Sequence, residues 1–282
     1  MFEIDIKNKV VFVDWGLYLF QSISSWVRRQ TAIPTYLALN SLIADLKKVC
    51  IKPEDLVIIA VDSKLGSWRK DVDSNYKNGK KTKREQYCTN WQEQFKKFDK
   101  LIENLRVSTP FHILEVDKLE ADDIISYGVR YYKDNPCTIV SCDKDIEMLA
   151  SLPNVVIFSP KTKNYKFVKN PNKILTKKIN KEQAVNLLTP ITSQSDYENR
   201  YTVANLNKLP KEIEGHLDLV FKNLVTGSFN ADLIWYPDIR EKFYKLYATD
   251  KEVTLVDSYR RMRRNKEQAK KKALKEKQLS LE

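Results

Sequence analysis

Within LEADDIISYGV, Leu119 to Val129, the carboxylates Glu120, Asp122 and Asp123 stand directly before an apolar run with helical spacing. Asp143 and Asp145 follow TIVS, Asp14 follows VVFV, and Asp62 follows VIIAV. Each locus taken singly reads as a turn or a helix cap, since aspartate caps helices and acids in a first turn meet the helix dipole favourably. Acid at the ends of four separate strand-like runs points instead to one assembled cluster. Two such charges ~4 Å apart at an effective dielectric of about 20 repel by about 4 kcal/mol, so a cation must offset them. His112 and His216 have no partner at ligand spacing, and Cys50, Cys88, Cys137 and Cys142 form no CxxC pair. Zinc is therefore not expected, and the acids fit a hard, oxygen-bound ion, Mg²⁺ or Mn²⁺, present once or twice.

The chain as a whole carries a net charge of +12 over 282 residues. Lys161 to Lys181 holds eight lysines and no acid, Tyr76 to Arg84 five basic residues and no acid, and Arg260 to Glu282 ten basic residues against three acids. Acid and base are thus segregated, as in a protein that holds a polyanion around an acidic centre. From Tyr76 on to Trp91, Lys80, Lys81, Lys83 and Arg84 are interleaved with Tyr76, Tyr87 and Trp91. Such a pattern suits single-stranded nucleic acid, with bases on the phosphates and rings under the nucleobases. The lysines of the first segment, Lys163, Lys166 and Lys169 among them, are expected to take part of the backbone contact.

The elements that must position these groups are legible as runs. VVFV (10–13), LVIIAV (56–61), FHILEV (111–116), TIVS (138–141) and VVIF (155–158) read as strands buried on both faces. Helical patterns separate them at 17–29, 36–49, 89–105 and 119–132, so the prediction is an α/β domain with a parallel sheet and helices on both faces over 1–175. In open parallel sheets the crevice lies beyond the carboxyl ends of the strands, where these acids fall. A small helical region follows over 176–250, and 251–282 reads as a basic helical or disordered tail. The apolar runs fall far short of the ~20 residues of a membrane span, and the start MFEIDIKNK is unlike a signal peptide, so a cytoplasmic protein is expected.

The pieces VFVDWGLYLF, VIIAVDSKLGSWRKDVDSNYKNGKKTKRE, DKLEADDIISYGV and TIVSCDKDIEMLASLPNVVIFSP resemble, in order, the 5′ nucleases that include flap endonucleases and the bacteriophage RNase H branch. The resemblance covers about residues 9–170. It implies a PIN-like core whose metal-binding acids match Asp14, Asp62, Glu120, Asp122, Asp123, Asp143 and Asp145. It also implies catalytic basic residues at Arg69 and Lys77, a base-stacking aromatic at Tyr76, and a helical arch over about 77–100 that passes a single-stranded 5′ end. The implied substrate is DNA with a 5′ flap or an RNA–DNA hybrid.

One family element is absent. The G-D-x-x-D-N sequence that normally follows the core, and supplies two more aspartates, has no counterpart in EQAVNLLTPITSQSDYENRYTVANLNKLP. Asp196 and Glu198 there have no favourable spacing. A nucleic-acid-binding replisome protein that has lost efficient cleavage with those aspartates, and a PIN-type endoribonuclease acting on structured RNA, are the competing readings. The ending KEKQLSLE resembles a sliding-clamp docking peptide, with Gln278, Leu279 and Leu281 as its contact residues and Glu282 in place of the aromatic.

Overall fold

A computed structural model describes residues 8–29, 32–74, 76–77, 90–180, 193–224 and 230–247. Its centre is a six-stranded sheet made of β1 (Val10–Asp14), β2 (Leu56–Val61), β3 (His112–Glu115), β4 (Cys137–Val140), β5 (Val155–Ser159) and β6 (Asn164–Lys166). The strand order is β3-β2-β1-β4-β5-β6. The first five strands run parallel, while β6 turns back antiparallel on β5. The chain moves outward from β1 through β2 to β3, then returns to the other side of β1 to lay down β4. The carboxyl ends of β1 and β4 consequently flank the point where the winding reverses, and a crevice opens there.

Alternation along the strands divides the core into two layers. Val11 and Val13 of β1, with Val57 and Ile59 of β2, face one layer. That layer is built from α1 (Trp15–Arg29), α2 (Pro34–Lys48) and, following the short α3 (Arg69–Val72), α4 (Trp91–Ser108). Val10, Phe12, Ile58 and Ala60 face the opposite layer, which is closed by α5 (Ala121–Tyr131). All of Val10 to Val13 are buried, each such side chain contributing ~1.5–3 kcal/mol relative to exposure. Residue His112 is buried in β3, where burial lowers its pKa, in keeping with a packed histidine.

Beyond the sheet come α6 (Asn172–Asn180), α7 (Gln194–Ala204), α8 (Lys211–Lys222) and α9 (Pro237–Tyr247). Two of these are more than an appendage. Leu217 and Phe221 of α8 enter the layer around α5, and Ile239, Phe243 and Tyr247 of α9 enter the layer around α2. Polar contacts add to the second junction: Tyr36 donates to Asp238 at 2.6 Å, and the Thr35 and Tyr236 hydroxyls meet at 2.7 Å. The lysine-rich stretch, read from sequence only as a charged run, forms β6 and α6. Among the described residues no helix is long and apolar enough to cross a membrane.

Candidate active site

Four of the strand-end acids arrive at one cleft. Asp14 is the last residue of β1, Asp62 follows β2, Asp122 lies in the first turn of α5, and Asp143 lies just past β4. With Glu120, Lys77 and Gly16 they line a cleft of about 370 Å³.

Short polar links hold this arrangement. The Ala121 N–H, at the open end of α5, donates to Asp62 Oδ1 at 2.8 Å, so the β2 carboxylate caps the helix that carries Asp122. Ser141 Oγ donates to Asp14 Oδ2 at 2.9 Å while accepting the Asp143 N–H at 3.0 Å, which ties the ends of β1 and β4 together. Ser141 is fully buried and was missed in the sequence; its signal was a hydroxyl at the last position of TIVS. The loop after β2 is fastened to the approach to α5 by the Ser63 N–H on the Leu119 carbonyl (2.9 Å) and the Trp68 N–H on the Lys118 carbonyl (2.8 Å).

Gly16 and Gly128 set two close approaches. A Cβ on Gly16 would sit 3.4 Å from Asp14 Oδ1 and 3.9 Å from Asp62 Oδ2, inside the cleft mouth. On Gly128 it would fall 2.6 Å from Phe12 Cζ, so only glycine lets α5 lie this near β1.

Crowding shows in the electrostatics. Burial, then the Asp62 charge, raise the Asp14 carboxyl to about 7 despite the Ser141 hydrogen bond. The Asp122 carboxyl is pushed well above the usual carboxylate range by burial and by Asp143, Asp14 and Asp62. Glu120 moves the other way: burial opposes its charge, but Lys77 and Arg69 outweigh burial and lower its pKa.

Asp123 and Arg69 have a different place from the one the resemblance implies. Asp123 is wholly buried, on the side of α5 away from the open cleft. It receives Arg69 through two prongs at 2.7 and 2.8 Å, Trp68 Nε1 at 3.1 Å and the Glu120 N–H at 3.0 Å. The Arg69 guanidinium also reaches Glu120 at 3.3 Å and donates through Nε to the Val203 carbonyl at 2.8 Å. With 2% of its surface exposed, Arg69 is placed to position Glu120 and Asp123 rather than to meet a phosphate.

Tyr76 is likewise buried, its hydroxyl donating to Glu120 at 2.9 Å, so its ring offers no face to a base. Lys77 pairs with Glu120 and stands 5.2 Å over the Tyr76 ring, yet it lines the cleft. Its φ of 57° is a left-handed conformation uncommon for lysine. Asp145 does not line the cleft; its N–H donates to Asp143 Oδ1 at 2.8 Å ahead of a short 3₁₀ turn, Ile146–Ser151. Trp91 is buried against Phe20 and Phe95, with ring centroids at 5.8 and 5.6 Å.

Two of the three lysines expected on a nucleic-acid backbone are engaged by protein. Lys163 donates to buried Asp45 at 2.7 Å, which Tyr18 also contacts at 3.0 Å, and Lys166 pairs with Glu147 at 2.9 Å. Lys169 is exposed. Lys80, Lys81, Lys83, Arg84 and Tyr87, in the first half of the expected arch, lie outside the described residues, as do Gln278, Leu279 and Leu281.

Among the described residues the cleft lining contains oxygen donors and no histidine or cysteine. Among the described residues no three His, Cys, Asp or Glu side chains are placed to ligate one ion directly. The donors fit a divalent ion of the Mg²⁺ type, which keeps several waters and takes only one or two carboxylates directly.

Comparison with known proteins bears on the same region. Residues 9–183 match the family model described as the N-terminal resolvase-like domain of 5′-3′ exonucleases. Ribonuclease H of Enterobacteria phage T4 is 30% identical over 177 residues, which are 60% of this chain; the chain spans 58% of that relative's length. Two solved structures share the fold: the T5 5′-exonuclease with bound divalent zinc ions (TM-score 0.50, 15% identity), and the bacteriophage T5 flap endonuclease in a pseudo-enzyme-product complex with DNA and metal ions (TM-score 0.52, 17% identity). Each covers 84% of this chain and 97% of its own. The family match embraces every strand of the sheet and all the carboxylates of the cleft, and the chain belongs to the 5′-3′ exonuclease family that carries this resolvase-like domain.

Proposed function

We propose that the protein is a divalent-metal-dependent phosphodiesterase that cuts near the 5′ end of a strand in branched or RNA-primed DNA, leaving a 5′-phosphate and a 3′-hydroxyl. The observation that carries this reading is the meeting of Asp14, Asp62, Asp122 and Asp143, drawn from four separate segments, in one cleft at the winding reversal. Family membership supports the class of reaction. Asp14, Asp62, Asp122 and Asp143 are the proposed holders of one or two ions of the Mg²⁺ or Mn²⁺ type, which would supply Lewis acidity and a more acidic bound water.

The remaining roles belong to the chain itself. Lys77 projects its amine into the carboxylate cleft, where a phosphate entering beside Glu120 would gain a counter-charge as negative charge builds on its oxygens. Ser141 holds Asp14 and Asp143 at a fixed separation, and Asp62 fixes the start of α5. Arg69, Trp68 and Asp123 brace Glu120 from behind.

A set of end-labelled substrates tests the proposal: a 5′ flap, an RNA–DNA hybrid, plain duplex DNA and single-stranded RNA, each with Mg²⁺, with Mn²⁺ and with EDTA. Cleavage of the first two that stops in EDTA is the expected result. Cleavage confined to the single-stranded RNA would replace it with the endoribonuclease reading, and binding without cleavage under either metal would leave a binding protein.

A further inference from the structure

We infer that Tyr197 and Tyr201 form a stacking site for an unpaired nucleobase, with Lys208 beside it for the adjoining phosphate. The two tyrosines are four residues apart on α7 and thus on one face of the helix. Their ring centroids are 6.5 Å apart with planes inclined by only 26°. A flat ring slipped between two others needs about 7 Å, twice the ~3.5 Å contact distance of carbon atoms, so a small side-chain rotation admits a base. Both rings are open to solvent, 40% and 38% exposed. They border a cavity of about 520 Å³ with Lys208, Pro210 and Glu198 on its wall. Lys208 is exposed, whereas the Glu198 carboxylate is occupied by Gln194 Nε2 at 3.0 Å.

The helix beneath is rigidly placed relative to the acidic cleft. Its Val203 carbonyl accepts Arg69 Nε, and Val203 packs on Tyr76, the two residues that contact Glu120 from behind. Buried Arg200, on the inner side of α7, donates to the Ile179 carbonyl at 3.2 Å. The helix that carries the rings therefore stands at a fixed offset from the carboxylates, so only the two side chains need adjust to a base. Exposed aromatic faces beside a cation bind bases without regard to sequence. This is the property that the spacing of Tyr76 promised and that its burial removes.

The inference rests on the nucleic-acid-cutting reading, and its test needs no cleavage. The full-length protein is titrated in EDTA with a single-stranded DNA carrying 2-aminopurine and with an abasic strand of equal phosphate count. The based strand should bind more tightly, with quenched 2-aminopurine emission. Tyr197→Leu with Tyr201→Leu should lower its affinity by roughly tenfold and abolish the quenching, leaving the abasic strand unaffected. The Tyr197→Phe with Tyr201→Phe protein should behave as wild type, since the ring face is the working part. Equal binding of the two strands, or Leu variants indistinguishable from wild type, overturns the stacking site while sparing the nuclease. Failure to bind either strand, together with no cleavage of any substrate, overturns both.

Discussion

Asp122 and Asp123 are adjacent in sequence but point about 100° apart around the first turn of α5, and that angle separates their surroundings. Asp122 meets the crowded carboxylates, Asp123 the buried Arg69. Changing Asp122 to Asn should lower the cleavage rate by about two orders of magnitude or more, the scale of losing one electrostatic stabiliser, while oligonucleotide affinity holds or rises. Single-turnover kinetics beside equilibrium binding reads both, and wild-type turnover in that variant would remove Asp122 from the reaction. Arg69→Lys should act through folding. The charge survives but the two-pronged contact does not, and each buried hydrogen bond lost to a charged partner costs about 1.5–3 kcal/mol, visible as a lower urea midpoint. A stable variant with only a raised KM would return Arg69 to the substrate. The strand-end position of Asp14, Asp62 and Asp143 was legible because a parallel sheet directs its carboxyl ends to the crevice. The inward turn of Asp123, Arg69 and Tyr76 was not, since spacing at a helix start does not say which side the core occupies.

Among the elements, α5 is constrained at two points. Its N-terminus is held by Asp62, and its middle lies on the Phe12 ring at Gly128. Gly128→Ala should destabilise the fold by about 1–3 kcal/mol through overpacking and shift Asp122 away from its partners, reducing cleavage. Phe12→Leu in the same chain should restore part of the loss, and a double-mutant cycle on thermal stability measures that coupling; strict additivity would deny the contact. Strands β1 to β5 were all legible, being continuous apolar runs closed by polar turns. β6 was hidden, because three residues, Asn164–Lys166, carry no period against a background of lysine. The packing of α8 and α9 into the two layers was hidden too, since an amphipathic stripe announces burial without naming what covers it.

Over the whole molecule, charge should govern both stability and binding. A carboxyl whose folded pKa exceeds its unfolded value takes up a proton on folding, so its stabilisation is present at low pH and is lost as pH rises through the folded value. For Asp14 that window runs from 3.8 to about 7, and Asp122 shifts in the same direction. Glu120, being lowered, acts oppositely and only as pH falls below its ordinary 4.5. In EDTA the melting temperature should therefore fall between about pH 5 and 7.5, and Mg²⁺ should flatten the decline; a flat profile without metal would contradict the crowding. Binding to duplex should weaken with salt, and Lys169→Ala should reduce the log–log slope by about 0.9. Lys163→Ala should instead lower stability by stranding Asp45, with the slope unchanged. A reversed pair of outcomes would place Lys163 on the nucleic acid. The adjacency of β1 and β4 finally bears on synthesis. Asp14 and Asp143 are 129 positions apart and meet only when those two strands pair. A chain leaving the ribosome N-terminus first therefore lacks the fourth wall of its cleft until β4 has emerged, and no shorter nascent fragment can bring the four carboxylates together.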